Sequence, residues 1–307
     1  TCLLSLGYLN DEMRAVQFVV SDGGSSDRTR EIVNALGAES GNLSVIDNPA
    51  KYQSAGVNAV IASECAEGRD ILIRCDAHAE YPSDYILRLA ETLVKQGSAS
   101  VVVSMDSVGT TCFGKAAAWA VDTPFGSGGA AHRAGARSGY IDHGHHAAFD
   151  IGWFKKVGGY DPTFTHNEDA EYDRRLTDAG GRIWLEAGIR MTYFMRPDPL
   201  GLARQYRNYG AGRMRTLRKH KMRPRLRQML PIALVAILIA SLVGGVFFHP
   251  ILYLGAIGYV AVLFAVAVGF LLRSRSVCAF WVAPALAIMH VAWAYGALKT
   301  FFWRPSR

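Results

Sequence analysis

Four carboxylates lie within six residues of the segment HNEDAEYDRR, which occupies positions 166–175. Thr165 and Glu168 have the spacing of a helix capping box, and the helix dipole favours acids in a first turn. That role accounts for Glu168 but not for Asp169, because a second carboxylate beside the first adds repulsion without filling another cap position. A carboxylate at such a place can also act as a general base. The segment alone leaves Asp169 open between an ordinary helix-start residue and such a base, and we interpret Glu171 and Asp173 as surface or ion-pair groups.

A second chemical pattern is the stretch VVSDGGSSDRT at residues 19–29, where a predicted strand ends in Asp22 and leads through two glycines to a helix. Glycine lets backbone N–H groups approach a ligand, and the carboxylate can accept hydrogen bonds from a base or ribose, which suits a nucleotide. An ordinary strand-to-helix turn capped by Ser25 or Ser26 fits equally well. This stretch alone leaves both interpretations open.

A third pattern, RCDAH at residues 74–78, follows the apolar run ILI at residues 71–73. Side chains at i and i+2 of an extended segment point the same way, so Asp76 and His78 could both face one divalent ion that holds a diphosphate. A polar strand end without a metal is the alternative.

Residues 109–150 are rich in Gly and His and show neither a helical nor a strand period, so we predict a loop region that lines a site. The histidines do not form a convincing zinc site, because zinc needs fixed geometry and usually a Cys or carboxylate partner. We interpret them as hydrogen-bonding groups for substrate. They are His143, His145 and His146.

Strands and helices alternate over the first 110 residues. Short apolar strands separated by helices indicate an α/β fold with a mostly parallel sheet covered on both faces. Ligands bind such sheets beyond the carboxyl ends of the strands, where Asp22 and Asp76 lie. Strands are predicted at 17–22, 43–48, 70–76, 98–105 and 182–187, and helices at 25–36, 53–66 and 82–97.

The charges divide the chain into two unlike parts. Residues 1–198 hold 18 basic and all 26 acidic residues, whereas residues 199–307 hold 15 basic residues and no acid. Ten of those basic residues lie between Arg204 and Arg227, directly before a long apolar run, which favours a membrane surface. Nucleic-acid binding is disfavoured because the acidic part lacks an interleaved basic and aromatic face.

Three segments without Asp, Glu, Lys or Arg follow, at residues 229–248, 250–272 and 278–298. Each reaches the ~20 residues that span a bilayer. We therefore predict a catalytic domain over 1–198, a basic amphipathic interfacial segment over 199–228 and membrane helices over 229–302. The five cysteines show no paired spacing, and we expect all of them to be reduced.

Taken together, the three motifs resemble those of the inverting glycosyltransferases of family 2, a class with the GT-A fold. VVSDGGSSDRT is similar to the family's nucleotide-binding turn, RCDAH stands where its DxD metal motif belongs, and NEDAEYD resembles its catalytic-base motif. The resemblance is closer still to membrane-bound exopolysaccharide enzymes of the succinoglycan type and covers nearly the whole chain. Family members begin with an apolar strand and a Pro-x-x-Asn-Glu-like turn, so we expect this chain to be N-terminally incomplete.

The resemblance implies a role for each motif residue. Asp76 and His78 would hold a divalent metal, Mn²⁺ or Mg²⁺, and the nitrogen ligand favours Mn²⁺. Asp169 would be the catalytic base. The donor nucleotide sugar would contact Asp22, Gly23, Arg74 and Asp76. The acceptor side would comprise His145, His146, Glu168, Gln205 and Tyr209, the last two within a segment similar to the Q-x-x-R-W element of processive relatives.

The implied reaction moves a hexose, with glucose from a uridine diphosphate sugar as the first expectation, onto a lipid-linked saccharide in exopolysaccharide biosynthesis. The basic run before the first apolar span predicts a multi-pass protein of a bacterial-type inner membrane, with the catalytic part in the cytoplasm. Two alternatives remain: a sugar transferase acting on polyprenyl phosphate itself, and a non-catalytic membrane subunit that binds nucleotide sugars.

Overall fold

The structure is a computed structural model that describes residues 2–77, 79–128 and 137–303. The chain forms two compact units. The first comprises Thr1–Met105 with Gly135–Thr192, and the second comprises Asp106–Ala134 with Tyr193–Arg307.

Seven strands are present in the described part of the chain. They are β1 (Phe18–Asp22), β2 (Leu43–Asp47), β3 (Ile71–Ile73), β4 (Ser100–Val108), β5 (Gly139–Ile141), β6 (His146–Asp150) and β7 (Ile183–Phe194).

The α-helices of the first unit alternate with its strands, and those of the second unit include the long apolar segments. They are α1 (Cys2–Ser5), α2 (Thr29–Ser40), α3 (Gln53–Ala62), α4 (Tyr85–Gln96), α5 (Cys112–Val121), α6 (Pro124–Ser127), α7 (Ile151–Lys156), α8 (Glu168–Asp178), α9 (Pro199–Lys219), α10 (Leu226–Phe247), α11 (Leu254–Ser274) and α12 (Val282–Phe302). Short 3₁₀ turns lie at Asp11–Met13, Glu64–Ala66, Pro250–Tyr253 and Val277–Trp281.

A small parallel sheet is built from β1 and β2, which pair from Phe18 opposite Leu43 to Asp22 opposite Asp47. Helix α2 joins the two strands and packs on β2. A Cβ at Gly37 of α2 would stand 2.3 Å from the carbonyl oxygen of Leu43, so only glycine permits this close approach. The first predicted βα cycle is therefore present, with the helix beginning four residues later than the sequence pattern suggested.

The larger sheet has the strand order β3-β6-β4-β7-β5. Strand β6 lies between β3 and β4 and pairs antiparallel with both, and β5 pairs antiparallel with β7. The prediction of a mostly parallel sheet was therefore wrong for this sheet. The main difference is the insertion of β6, which begins at His146, long after β4 ends at Val108, and runs opposite to both of its neighbours.

Residues 109–150 were predicted as a loop region, which was wrong for much of the segment. It contains α5, α6, β5 and β6, although residues 129–136 lie outside the described part. Helix α5 carries the run AAAWA, whose alanines at 116, 117, 118 and 120 are all buried. A helix buried on several sides shows no amphipathic period, so its sequence lacks the usual helical signal.

Aromatic rings dominate the core of the first unit. Phe149 of β6 meets Phe154 of α7 and Tyr172 of α8 edge to face, with ring centroids 5.4 and 5.7 Å apart. Phe149, Tyr172 and Leu176 have no exposed surface. Such pairs contribute about 0.5–1.5 kcal/mol each beyond their buried area. These ring contacts pack α7 and α8 against β6 of the sheet, which fixes the position of the first turn of α8.

In the second unit, α9 packs along α12. The contact is close because a Cβ at Gly210 would stand 2.0 Å from the carbonyl oxygen of Trp293, and one at Gly296 would stand 1.9 Å from that of Arg207. Glycines at both crossing points let the two backbones approach. The basic helix predicted as an interfacial segment thus lies against the last apolar helix.

Three helical segments are long and apolar enough to cross a membrane: Leu226–Phe247, Pro250–Ser274 and Val277–Phe302. They correspond to the three predicted apolar spans. The expectation that all cysteines are reduced was wrong, because Cys112 of α5 and Cys278 form a disulfide. The two residues are 166 positions apart in sequence and only the packing of the second unit brings them together. Cys2, Cys65 and Cys75 are free thiols.

Candidate active site

Arg74 is the central cation of a polar cluster in the first unit. It follows β3 directly, and its backbone N–H donates to the carbonyl of Ala147 on β6 at 2.8 Å, which continues the pairing of the two strands. Only 6% of the residue is exposed. A buried guanidinium requires partners, because an unpaired charge away from water is costly.

Those partners are three polar side chains. Arg74 donates from Nη1 to Asp169 Oδ1 at 2.9 Å and to the Tyr160 hydroxyl at 2.8 Å. Its Nη2 lies 3.1 Å from Nδ1 of His145 and 3.4 Å from Asp169 Oδ2. Tyr160 in turn donates to Asp169 Oδ1 at 2.5 Å. We call Arg74, Asp76, His145, Tyr160 and Asp169 the Arg74 network.

For the pKa of Arg74, the combined effect of the nearby negative groups is larger than the effect of burial. Burial by itself lowers the pKa of its guanidinium, but the negative charge of Asp169, with a further contribution from Asp76, raises that pKa well above its ordinary value. Arg74 therefore remains a cation and holds Asp169 in place as its counter-charge.

His145 connects the two carboxylates of the network. Its Nε2 lies 3.5 Å from Asp76 Oδ2, and its Nδ1 lies 3.8 Å from Asp169 Oδ2. The sequence therefore identified a group of four residues that the structure brings together: Arg74, Asp76, His145 and Asp169. The side chain of His146 lies outside the described part of the structure.

The position of Asp76 is fixed by two side chains, those of Tyr81 and Gln53. Its backbone N–H donates to the Tyr81 hydroxyl at 2.6 Å, and its Oδ1 accepts from the side-chain amide of Gln53 at the start of α3. Strand β3 ends at Ile73, so Asp76 lies three residues beyond the last strand residue. His78 lies outside the described residues. Among the residues that are described, no three His, Cys, Asp or Glu side chains gather as a preformed metal site.

The turn after β1 is organised around Asp22, which is 4% exposed. Its carboxylate accepts from the Ser25 hydroxyl at 2.5 Å, from the Ser25 backbone N–H and from Arg30 of α2 at 3.1 Å. These donors, Ser25 foremost, hold the pKa of Asp22 below its ordinary value despite burial. Gly24 adopts φ +84°, whereas a Cβ at Gly23 would make only ordinary contacts, so Gly24 is the position that requires glycine.

The capping box predicted at Thr165 and Glu168 is not formed. Helix α8 begins at Glu168, its N-cap is Asn167 in the left-handed conformation at φ 61°, and no side chain caps it. Thr165 Oγ1 instead lies 3.0 Å from His166 Nδ1. Burial, followed by the charge of Asp169, raises the pKa of Glu168 to about 7. Glu168 is therefore an acid in an unfavourable environment and not a cap partner.

The two remaining acids of the HNEDAEYDRR segment, Glu171 and Asp173, are buried, so their prediction as surface groups was wrong, and the ion-pair alternative is confirmed for Glu171. Glu171 is fully buried and accepts from Arg175 Nε and Nη2 at 2.9 and 2.6 Å. Asp173 is 2% exposed and lies 2.5 Å from Nδ1 of His143. Its partner is therefore a histidine of the DHGHH segment, and Arg174 pairs with Asp178 instead.

Gln205 and Tyr209 lie in the second unit, one turn apart on α9. The Gln205 amide donates to the hydroxyls of Tyr209 at 2.8 Å and Tyr193 at 2.6 Å. The structure thus brings these two predicted acceptor-side residues together.

Sequence reasoning missed Tyr160 and Gln53, which contact Asp169 and Asp76 respectively. The turn GGYDP was recognised, but nothing in its local pattern shows that the tyrosine points into a polar site. Gln53 stands at the first position of a predicted helix, where a polar residue is ordinary.

The chain belongs to a class of sugar-transferring enzymes, glycosyltransferase family 2, because the model of the family described as Glycosyl transferase family 2 matches residues 2–158. The architecture is the GT-A glycosyltransferase fold followed by apolar helices. A curated relative is the succinoglycan biosynthesis protein ExoA of Rhizobium meliloti (strain 1021). It is 43% identical over 286 residues, which cover 93% of this chain and 84% of the relative.

Solved structures similar to the chain include GalNAc-T7 with UDP, GalNAc and Mn²⁺, at 14% identity and a TM-score of 0.49. That match covers 68% of this chain but only 44% of the GalNAc-T7 chain. A second is S. aureus TarS 1-349 in complex with UDP, at 11% identity and a TM-score of 0.44, covering 100% of this chain and 88% of the other.

Proposed function

We propose that the protein is a membrane-anchored inverting glycosyltransferase that transfers a hexose from a nucleotide-diphosphate sugar to a lipid-linked saccharide. The donor we expect first is uridine diphosphate glucose, and the pathway is the biosynthesis of an exopolysaccharide of the succinoglycan type. The observation that carries the proposal is the Arg74 network, in which Asp169 of the base motif is held beside Asp76 of the metal motif. The 43% identical relative, named as a succinoglycan biosynthesis protein, supports the pathway.

In this proposal Asp169 removes the proton from the acceptor hydroxyl as its oxygen attacks the anomeric carbon. The bond from that carbon to the diphosphate breaks on the opposite face, so the configuration inverts. Arg74 holds the carboxylate in position, and the turn formed by Asp22 and Gly24 receives the nucleotide. General-base assistance of this kind contributes about 10²–10⁴-fold to the rate.

A divalent metal suits the donor side of this site. Asp76 supplies a hard carboxylate oxygen, and an ion that is held largely by substrate phosphates needs only one or two protein carboxylates. The residues that would hold it are Asp76 and His78. When bound, the metal offsets the charge that develops on the leaving diphosphate. We expect Mn²⁺ to support more activity than Mg²⁺ because His78 offers a nitrogen ligand.

We infer a multi-pass arrangement in a bacterial-type inner membrane with the first unit in the cytoplasm. The three apolar helical segments are long enough to span the bilayer, and a dense run of Arg and Lys precedes the first of them. Each of those cations near an anionic lipid surface contributes about 1 kcal/mol to binding. Membrane anchoring suits an acceptor that is itself a lipid.

The decisive experiment incubates membranes that contain the protein with a panel of radiolabelled nucleotide sugars and a lipid-linked saccharide, and then analyses the extracted lipid. A glycosylated saccharide-lipid with an inverted linkage supports the proposal. Label on polyprenyl phosphate alone would favour the alternative transferase, and absence of product with every donor would favour a non-catalytic subunit. Titrating Mn²⁺ and Mg²⁺ in the same assay tests the metal.

A further inference from the structure

Tyr160 is a buried tyrosine whose hydroxyl reaches the Arg74 network. Only 1% of the residue is exposed. Its ring packs against Phe149, Phe154 and Tyr172 with centroid distances of 6.0, 5.7 and 5.2 Å. The ring is therefore held by the aromatic core while the hydroxyl lies among charged side chains.

The backbone of Tyr160 is also fixed. Asn58 of α3 accepts from the Tyr160 N–H at 2.9 Å and donates to its carbonyl at 2.8 Å. Gly159 permits this contact: it adopts φ +66°, and a Cβ there would stand 2.7 Å from the Asn58 side-chain oxygen. Tyr160 is thus attached to α3 through its backbone and to the core through its ring.

The direction of the hydrogen bonds at the Tyr160 hydroxyl follows from chemistry. A guanidinium only donates, so the phenolic oxygen accepts from Arg74 Nη1 at 2.8 Å. The single phenolic proton is then directed to Asp169 Oδ1, at 2.5 Å. Burial raises the pKa of Tyr160 well above its ordinary value, so the hydroxyl keeps this proton and is not itself a base.

We propose that Tyr160 is a positioning residue for the general base. Its hydroxyl and Arg74 Nη1 both donate to Oδ1 of Asp169 at 2.5 and 2.9 Å, whereas Arg74 Nη2 lies 3.4 Å from Oδ2, and this unequal pairing directs Oδ2 to the acceptor hydroxyl. The proton of that hydroxyl passes to Oδ2, the acceptor oxygen bonds to the anomeric carbon, and the diphosphate leaves with the electrons of the broken bond. This inference rests on the function proposed above. It adds a role for the GGYDP turn, because Tyr160 of this turn influences the reaction by positioning Asp169.

The competing explanation is that Tyr160 only fills the core. Tyr160→Phe separates the two because it keeps the ring and removes the hydroxyl, and Tyr172→Phe is a matched control in the same aromatic group. We expect Tyr160→Phe to lower kcat about 10–100-fold, since small errors of position reduce rates by such factors. The donor KM and the melting temperature should stay close to those of Tyr172→Phe, which should have the wild-type kcat.

A double-mutant cycle tests whether Tyr160 acts through Asp169. In an Asp169→Asn background, Tyr160→Phe should lower the residual rate less than about threefold, because residues that act as a unit are non-additive. A wild-type kcat in Tyr160→Phe, an equal loss in Tyr172→Phe, or a full additional loss in the double variant would each overturn the inference. If the wild-type protein transfers no sugar, the proposed function fails and the inference falls with it, whereas active wild-type and Tyr160→Phe proteins contradict the inference alone.

Discussion

At the scale of single residues, Asp169 and Glu168 are neighbours with opposite environments. Asp169 receives hydrogen bonds from Arg74 and Tyr160, whereas burial and the adjacent carboxylate raise the pKa of Glu168 to about 7. Two adjacent acids whose surroundings differ in this way are suited to different tasks. Asp169 is paired with the Arg74 cation, whereas the raised pKa of Glu168 lies near neutral pH.

Replacing Asp169 by Asn should remove most turnover. The amide keeps the size of the side chain but cannot take a proton, so we expect kcat to fall by about 10²–10⁴-fold while the donor still binds. Product formation and donor binding should be measured on the same membrane preparation, with Asp178→Asn as an exposed control on the same helix. Near-normal transfer by a folded Asp169→Asn protein would contradict the role as base.

Replacing Glu168 by Gln should change how stability depends on pH. Because the pKa of Glu168 is raised from 4.5 in the unfolded chain to about 7 in the fold, the folded state binds its proton more tightly. Stability therefore falls as pH rises between those two values, and the full penalty is present above about pH 7. Gln carries no charge, so the variant should gain on the order of 3 kcal/mol relative to wild type at pH 8, and little at pH 4.

Thermal unfolding in detergent at several pH values measures this effect, with the exposed Glu67→Gln as control. A gain for Glu168→Gln that is equal at pH 5 and pH 8 would show that Glu168 does not titrate in this range.

At the scale of elements, α8 is held by internal charge pairs of two kinds. Glu171 is fully buried and binds Arg175, which also donates to the carbonyl of Val157, whereas the pair of Arg174 and Asp178 is exposed. Breaking a buried pair leaves a desolvated charge without its partner, whereas an exposed pair contributes little. The two pairs have the same i,i+4 spacing on one helix.

This contrast predicts unequal costs for two matched substitutions. Glu171→Ala should lower the free energy of unfolding by about 3–5 kcal/mol, and Asp178→Ala by less than about 1 kcal/mol. Denaturant or thermal unfolding of both variants provides the comparison. Similar losses in the two would mean that burial does not distinguish the pairs.

At the scale of the whole molecule, the acidic residues all precede the basic helix and the three apolar segments. The second unit, which contains those segments, also contains the disulfide between Cys112 and Cys278. A cross-link across 166 residues restricts the unfolded chain strongly, because the effect of a disulfide grows with the loop it closes.

Peptide mapping without reductant should therefore recover one cross-linked pair, Cys112 with Cys278, and three alkylatable thiols at Cys2, Cys65 and Cys75. The protein should be alkylated while folded and again after denaturation, so that buried thiols are counted. Recovery of both Cys112 and Cys278 as alkylated thiols from protein prepared without reductant would contradict the cross-link.

The sequence alone determined the features that depend on local patterns. Hydropathy identified the three apolar helices, because about 20 uncharged residues suffice for a span whatever surrounds them. Alternating apolar runs identified β1, α2 and β2, and the resemblance of the motifs to those of the family implied site roles for Arg74, Asp76, His145 and Asp169, which lie together in the structure.

The tertiary structure decided what depends on distant contacts. The position of β6 between β3 and β4, the burial of α5 and the pairing of Cys112 with Cys278 all join residues far apart in sequence. Tyr160 belongs to the same group, since its contact with Asp169 depends on the aromatic core and on Asn58. Local sequence patterns show which face of a helix or strand is apolar. The packing of the whole chain determines which other element covers that face.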